Sequence, residues 1–169
     1  DNCLTLYSVT IGNNVVIGDY AFYYDIVTHW TGEDGIVRGE DGKYRYKFSS
    51  PLLSLTIGNN SVIGKYAFAG AASLESVTLG EGATIGAYTF FNASKLKNID
   101  LSKVISIGAN AFSGDTYYVY TDSSCTIPAT DANNEYMIAY YGAAFEEIDL
   151  SSLEELGEGA FAGCTALKK

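Results

Sequence analysis

His29, Trp30 and ten of the 14 tyrosines crowd into two stretches of a 169-residue chain: Tyr23, Tyr24, Tyr44 and Tyr46 in the first, Tyr117, Tyr118, Tyr120, Tyr136, Tyr140 and Tyr141 in the second. Tyrosine and tryptophan join a broad apolar ring to a polar handle, so a cluster of them suits contact with a protein partner or stacking against sugar rings. The residues that carry this reading are His29, Trp30, Tyr44, Tyr46, Tyr117, Tyr118, Tyr120, Tyr136 and Tyr140. Packing competes with it. On an alternating strand half of such side chains turn inward, and the spacing does not say which half. His29 beside Trp30 reads as an incidental polar position of that surface rather than as a ligand or base.

Other chemistry is poorly equipped. With one histidine, and no cysteine near a base in sequence, nucleophilic catalysis lacks its parts. HExxH, CxxC, GxSxG and GxxxxGK[ST] are all missing. Twenty acids could always supply a glycosidase pair, but nothing singles one out. Asp100, Glu147 and Asp149 would neighbour one another on a strand face and form a weak alternative for calcium or a basic partner. Solvation explains them as well, and no D-x-D-x-D-G loop is present. No cofactor is expected. Cys3 and Cys164 fall at one phase of a repeat, too far apart for a disulfide, and read as buried structural thiols; Cys125 has no phase partner. Asn59 and Asn92 each open an N-x-[ST] triplet in a loop.

Composition bounds the rest. A chain 47% apolar and 18% charged can bury a core, and one domain is the default. A net charge of −10 argues against nucleic acid and anionic membranes as partners. No apolar run reaches the roughly 18 residues of a membrane-spanning helix.

The elements that must position the aromatic stretches are repeats. An I/L-G pair recurs at 17, 63, 85, 107 and 156, with steps of 46, 22, 22 and 49, and each is followed by a Phe: Phe22, Phe68, Phe90, Phe112 and Phe161. Upstream of every pair stands a block of L-x-x-V-x-L type: Leu6 to Ile11, Leu52 to Ile57, Leu74 to Leu79, Leu96 to Leu101 and Phe145 to Leu150. Each block reads as a short strand, because its last apolar positions alternate with polar ones. A single copy cannot offset about 1–2 kcal/mol of backbone entropy per residue. Stacked copies can, if like residues form ladders through the molecule. The five phenylalanines are therefore expected in one column, with Ala21, Ala67, Ala111 and Ala160 leaving room for the rings and Gly18, Gly64, Gly86, Gly108 and Gly157 permitting a corner. On the open strand face, Ser8, Ser54, Ser76, Asn98, Glu147 and Thr10, Thr56, Thr78, Asp100, Asp149 are expected to stack.

LESVTL (74–79), IGKYAF (63–68) and AGCTAL (162–167) together resemble the BspA-like leucine-rich repeats, over about two thirds of the chain. The resemblance implies a leucine-rich-repeat solenoid, a right-handed superhelix of short parallel β-strands on one face with short helical or irregular turns. It implies display outside the cell or at its surface, in adhesion or partner binding, and brings no catalytic residues.

The long steps place about 24 and 27 extra residues just after a Phe, near 23–51 and 113–144. Degenerate repeats would explain the first, since 46 is twice 23, but Arg45, Glu40 and Asp34 would then stand where Phe22, Ile17 and Ile11 extend the ladder. Two inserted β-hairpin-like excursions are the favoured reading. The function expected is a non-enzymatic cell-surface or secreted binding or adhesion module, its inserts or strand face contacting a protein or glycan. A spacer without ligand and an accessory domain of a secreted hydrolase are the alternatives. The chain starts and stops within a repeat, so a fragment of a longer protein, with open solenoid ends able to self-associate, is also expected.

Overall fold

The computed structural model describes residues 6–23, 36–38, 40–46, 50–119, 121 and 127–168. Among them are 13 strands of two to four residues and no helix, so the connections are irregular turns. One parallel sheet runs in the order β1 (Ser8–Ile11), β5 (Ser54–Ile57), β7 (Ser76–Leu79), β9 (Asn98–Ile99). A second parallel sheet is ordered β13 (Glu155–Leu156), β10 (Val104–Ile107), β8 (Ala83–Ile85), β6 (Val62–Ile63), β2 (Val16–Ile17). Two antiparallel pairs stand apart from these: β3 (Ile36–Arg38) with β4 (Tyr44–Tyr46), and β11 (Thr116–Tyr118) with β12 (Ile138–Tyr140).

The register of the first sheet follows the hydrophobic pattern. Ser8, Ser54, Ser76 and Asn98 stand side by side, as do Thr10, Thr56 and Thr78. Leu55 and Ile57 of β5, and Val77 and Leu79 of β7, turn inward and are buried. A slip of one residue would move every one of these side chains to the solvent face, which fixes the pairing.

Strands on one face only were expected, and here the structure differs. The residues just before each corner glycine make the second sheet, with Val16 beside Val62 and Ile17 beside Ile63. Three of its five strands have only two residues, too few for alternation to show in sequence.

The fifth copy of the first strand is the opposite case. Phe145 to Leu150 was read as a strand, but the first sheet ends at β9. The physical reason lies in its side chains. Where three strands carry Thr, the next copies carry Asp100 and Asp149, whose carboxylates accept the backbone N–H of Ser102 (2.9 Å) and Ser151 (2.8 Å). Such turns compete with strand pairing.

Inside, the five phenylalanines form one column. Ring centroids are 5.0 Å apart for Phe22 and Phe68, 5.8 Å for Phe68 and Phe90, 5.4 Å for Phe90 and Phe112 and 5.5 Å for Phe112 and Phe161, all within 13° of parallel. Phe145 closes the column from the side, nearly perpendicular to both Phe112 and Phe161. Ala67 and Ala111 beside it are fully buried, and Thr89 takes the same place by donating its hydroxyl to the carbonyls of Gly86 (2.8 Å) and Gly64 (3.1 Å).

The corner glycines are needed for a different reason from the one expected. None of Gly18, Gly64, Gly86, Gly108 and Gly157 has a positive φ. A Cβ on Gly86 would lie 2.6 Å from the Ile63 carbonyl oxygen, and one on Gly108 2.5 Å from the Ala87 nitrogen. Backbone stacks on backbone at Gly64, Gly86, Gly108 and Gly157, where only hydrogen fits between, whereas a Cβ on Gly18, in the first repeat, would meet nothing within 4 Å.

No helix among the described residues is long and apolar enough to cross a membrane.

Candidate functional site

Both excursions leave the solenoid at one corner, immediately after Phe22 and Phe112, and both contain an antiparallel pair. In the first, Tyr44 and Tyr46 stand opposite Arg38 and Ile36. Its turn is closed by Asp41, whose carboxylate accepts the Lys43 N–H at 3.1 Å. In the second, Thr116 faces Tyr140, Tyr117 faces Ala139 and Tyr118 faces Ile138. The excursions also meet: β4 lies against β11, and the Lys43 ammonium reaches the Met137 sulfur at 2.9 Å.

The second excursion has its own inside and outside. Val119 and Ala129 are buried, and Met137 and Ala139 are half-buried. Ile138 and Tyr140, at alternate positions of β12, are 46% and 51% exposed and share one face of that strand. Tyr136, just before the strand and bridged to Thr130, is 61% exposed. At the tip, the Asp131 carboxylate accepts the N–H groups of Asn133 (2.8 Å) and Glu135 (3.0 Å), which hold it below the usual carboxylate range.

The foot of this excursion is braced. The Tyr141 N–H donates to the Asp115 carbonyl (3.1 Å), and Ala143 returns the chain to the Phe112 carbonyl (3.1 Å). Gly114 and Gly142 pass so closely that a Cβ on Gly114 would lie 2.2 Å from the Gly142 nitrogen. An exposed strip on such a base is held in one orientation rather than on a loose loop.

Of the residues expected to form the site, Tyr136 and Tyr140 are both exposed to solvent on the second excursion. Tyr44, Tyr46, Tyr117 and Tyr118 are placed by backbone only, on β4 and β11. His29, Trp30 and Tyr120 lie outside the described residues, as do Cys3 and Cys125.

The acids of the metal alternative do not collect. Asp100 accepts both the backbone and hydroxyl of Ser102, which hold it below the usual carboxylate range, and Asp149 bonds Ser151. Among the described residues no group of three or more His, Cys, Asp or Glu could hold a metal ion. Cys164 is a buried free thiol donating to the Phe112 carbonyl at 3.2 Å, and burial pushes it up to about 11. Of the two N-x-[ST] triplets, Asn92 is fully buried and its side chain is hydrogen-bonded, so it is not available to a glycan.

A further surface was missed in the sequence. On the outside of the corner, next to the phenylalanine column, Tyr20, Tyr66 and Tyr88 stack in a ladder with centroids 5.1 and 4.6 Å apart and planes within 13°. Tyr23, the first residue of the first excursion, packs edge-on against Tyr20 and Tyr66, and Phe91 against Tyr88. Lys65 lies 5.2 Å from the Tyr66 ring centre. Burial, then the neighbouring tyrosines, hold the Tyr66 hydroxyl above its ordinary value of 10.0. All three have φ of 56°, in the left-handed region, and the next two repeats place Asn110 (φ 54°) and Gly159 (φ 64°) there. A bulky residue at this φ costs roughly 1–2 kcal/mol, which a ring stack worth about 0.5–1.5 kcal/mol beyond area burial offsets in part. The signal was the Tyr third after I in IGDY, IGKY and IGAY, together with Asn and Gly at the same phase.

A family model described as BspA type leucine rich repeat region matches residues 40–168 in six copies. The matched range begins inside the first excursion and leaves out the first repeat, although β1 and β2 pair in register with β5 and β6. No curated protein matches the chain, and no solved structure does.

Proposed function

The chain belongs to the BspA-type leucine-rich repeat family, and from that premise we propose that it is a non-enzymatic binding or adhesion module of a cell surface or secreted protein. Its repeats are scaffold, and its aromatic excursions are the surface that contacts a protein or glycan. The observation that carries this reading is the exposure of Tyr136, Ile138 and Tyr140 on the returning arm of the second excursion, whose foot is braced on the solenoid. Three large side chains left in water forgo the hydration free energy that burial would have gained. Contiguous exposed apolar surface on a rigid base is characteristic of interaction sites. The docking of the two excursions supports a single surface that both supply, with Trp30, Tyr44 and Tyr46 coming from the first.

The test is capture on arrays of immobilised glycans and host-surface proteins, with the wild-type chain beside a Trp30→Ala/Tyr44→Ala/Tyr46→Ala variant. Capture by the wild type and its loss in the folded variant is expected. Equal capture by both would remove the first excursion from the site, and no capture on any array would favour a spacer.

A further inference from the structure

The tyrosine ladder is not demanded by the backbone. Where Tyr20, Tyr66 and Tyr88 take φ of 56°, the following repeats meet the same need with Asn110 and Gly159, residues suited to that conformation. A strained choice repeated in three consecutive turns points to use of the side chain itself.

The geometry narrows that use. Stacked rings cover each other's faces, so the ladder offers little open ring face for a sugar or a second aromatic. Its outward parts are ring edges and hydroxyls, and the hydroxyl end of Tyr88 is reached by the Asn110 amide at 3.1 Å. The three tyrosines follow Ile17, Ile63 and Ile85, which stand side by side in parallel strands, so each ring is carried at the same phase as the next. The approach is closest between Tyr66 and Tyr88, whose centroids are 4.6 Å apart with planes 11° from parallel.

We propose that Tyr66 and Tyr88 are a site of oxidative coupling, joined ortho carbon to ortho carbon by hydrogen peroxide and a peroxidase-class enzyme. Each phenol gives up its hydroxyl proton and one electron, and the two phenoxyl radicals combine at the ortho carbons to form one C–C bond. The coupled dienone then moves the ortho hydrogen of each ring to its oxygen, restoring both phenols. The two hydrogen atoms lost reduce one peroxide to two waters. The product staples adjacent solenoid turns across a span of 22 residues, restraining the unfolded chain as a disulfide would.

The test treats the intact chain with a haem peroxidase and hydrogen peroxide and isolates the monomer. Trypsin with a glutamyl endopeptidase then yields residues 66–75 and 82–95, each holding one tyrosine. Dityrosine fluorescence in the monomer, with these two peptides joined and lighter by two hydrogens, is expected. Tyr66→Phe and Tyr88→Phe keep a ring in the stack and the fold intact, and each should abolish that product. A product mapped to other tyrosines, a product that survives in Tyr88→Phe, or coupling only between molecules overturns the proposal.

Discussion

Asn92 and Asp115 hold each other twice: the Asn92 amide donates to the Asp115 carboxylate at 3.1 Å, and the Asp115 N–H donates to the Asn92 side-chain oxygen at 2.7 Å. Asn92 is fully buried at φ 61°, and its partner stands at the foot of the second excursion. This pair anchors the exposed aromatic strip to the repeat before it. Asn92→Ala removes both bonds and forces alanine into the left-handed region, and is expected to cost about 2–3 kcal/mol. Asn92→Gly, which keeps the backbone conformation, should cost less. Urea denaturation of the three chains measures the order.

At the corner, alanine for Gly108 introduces a Cβ 2.5 Å from the Ala87 nitrogen. This atom and the next two, the Gly86 carbonyl carbon at 2.6 Å and the Ala87 Cα at 2.9 Å, are all backbone, so the stack must spread, at about 1–3 kcal/mol or more. A thermal melt of Gly108→Ala indistinguishable from wild type would refute the tight backbone stack.

Ser50 is buried with a hydroxyl that has no hydrogen-bond partner among the described residues, at the repeat position where Ala72 and Ala143 are also buried. An unmet buried hydroxyl costs about 1–3 kcal/mol. Ser50→Ala should therefore raise the midpoint of denaturation, and a fall would show that the hydroxyl is satisfied.

Cys164 supplies a pH dependence. Burial raises its thiol from 9.0 to about 11, so the folded chain favours the neutral thiol and the unfolded chain ionises first. Its contribution to stability is complete below pH 9 and is lost as pH rises from 9 to about 11. Melting curves across that range should fall more steeply for wild type than for Cys164→Ala. Parallel curves would contradict the assignment.

How much of this could be read in advance differs from residue to residue. The phenylalanine column was legible because a stacked coil repeats its core letters at fixed phase, and five large side chains carry a strong signal. The second sheet was not, because strands such as Val16–Ile17 are shorter than one alternation. Phe145 to Leu150 kept the apolar pattern of a strand but not its pairing, since Asp149 turns back on Ser151. That distinction lies in polar side chains the apolar pattern ignores. Within the candidate site, Tyr136 and Tyr140 were named for their type, but their facing depended on how β12 packs. The tyrosine ladder is written in the repeats as IGDY, IGKY and IGAY, but a Tyr at three of five copies gives no sign of whether its rings stack or stand apart in solvent.

The central claim is that the braced strip on the second excursion is a contact surface. Its most direct measurement is capture on the glycan and host-protein arrays by Tyr136→Ser/Ile138→Ser/Tyr140→Ser beside wild type, with thermal melts of both. Capture is expected to fall to background while the melting temperature is unchanged or higher, since these side chains face water. Undiminished capture by the triple variant would contradict it.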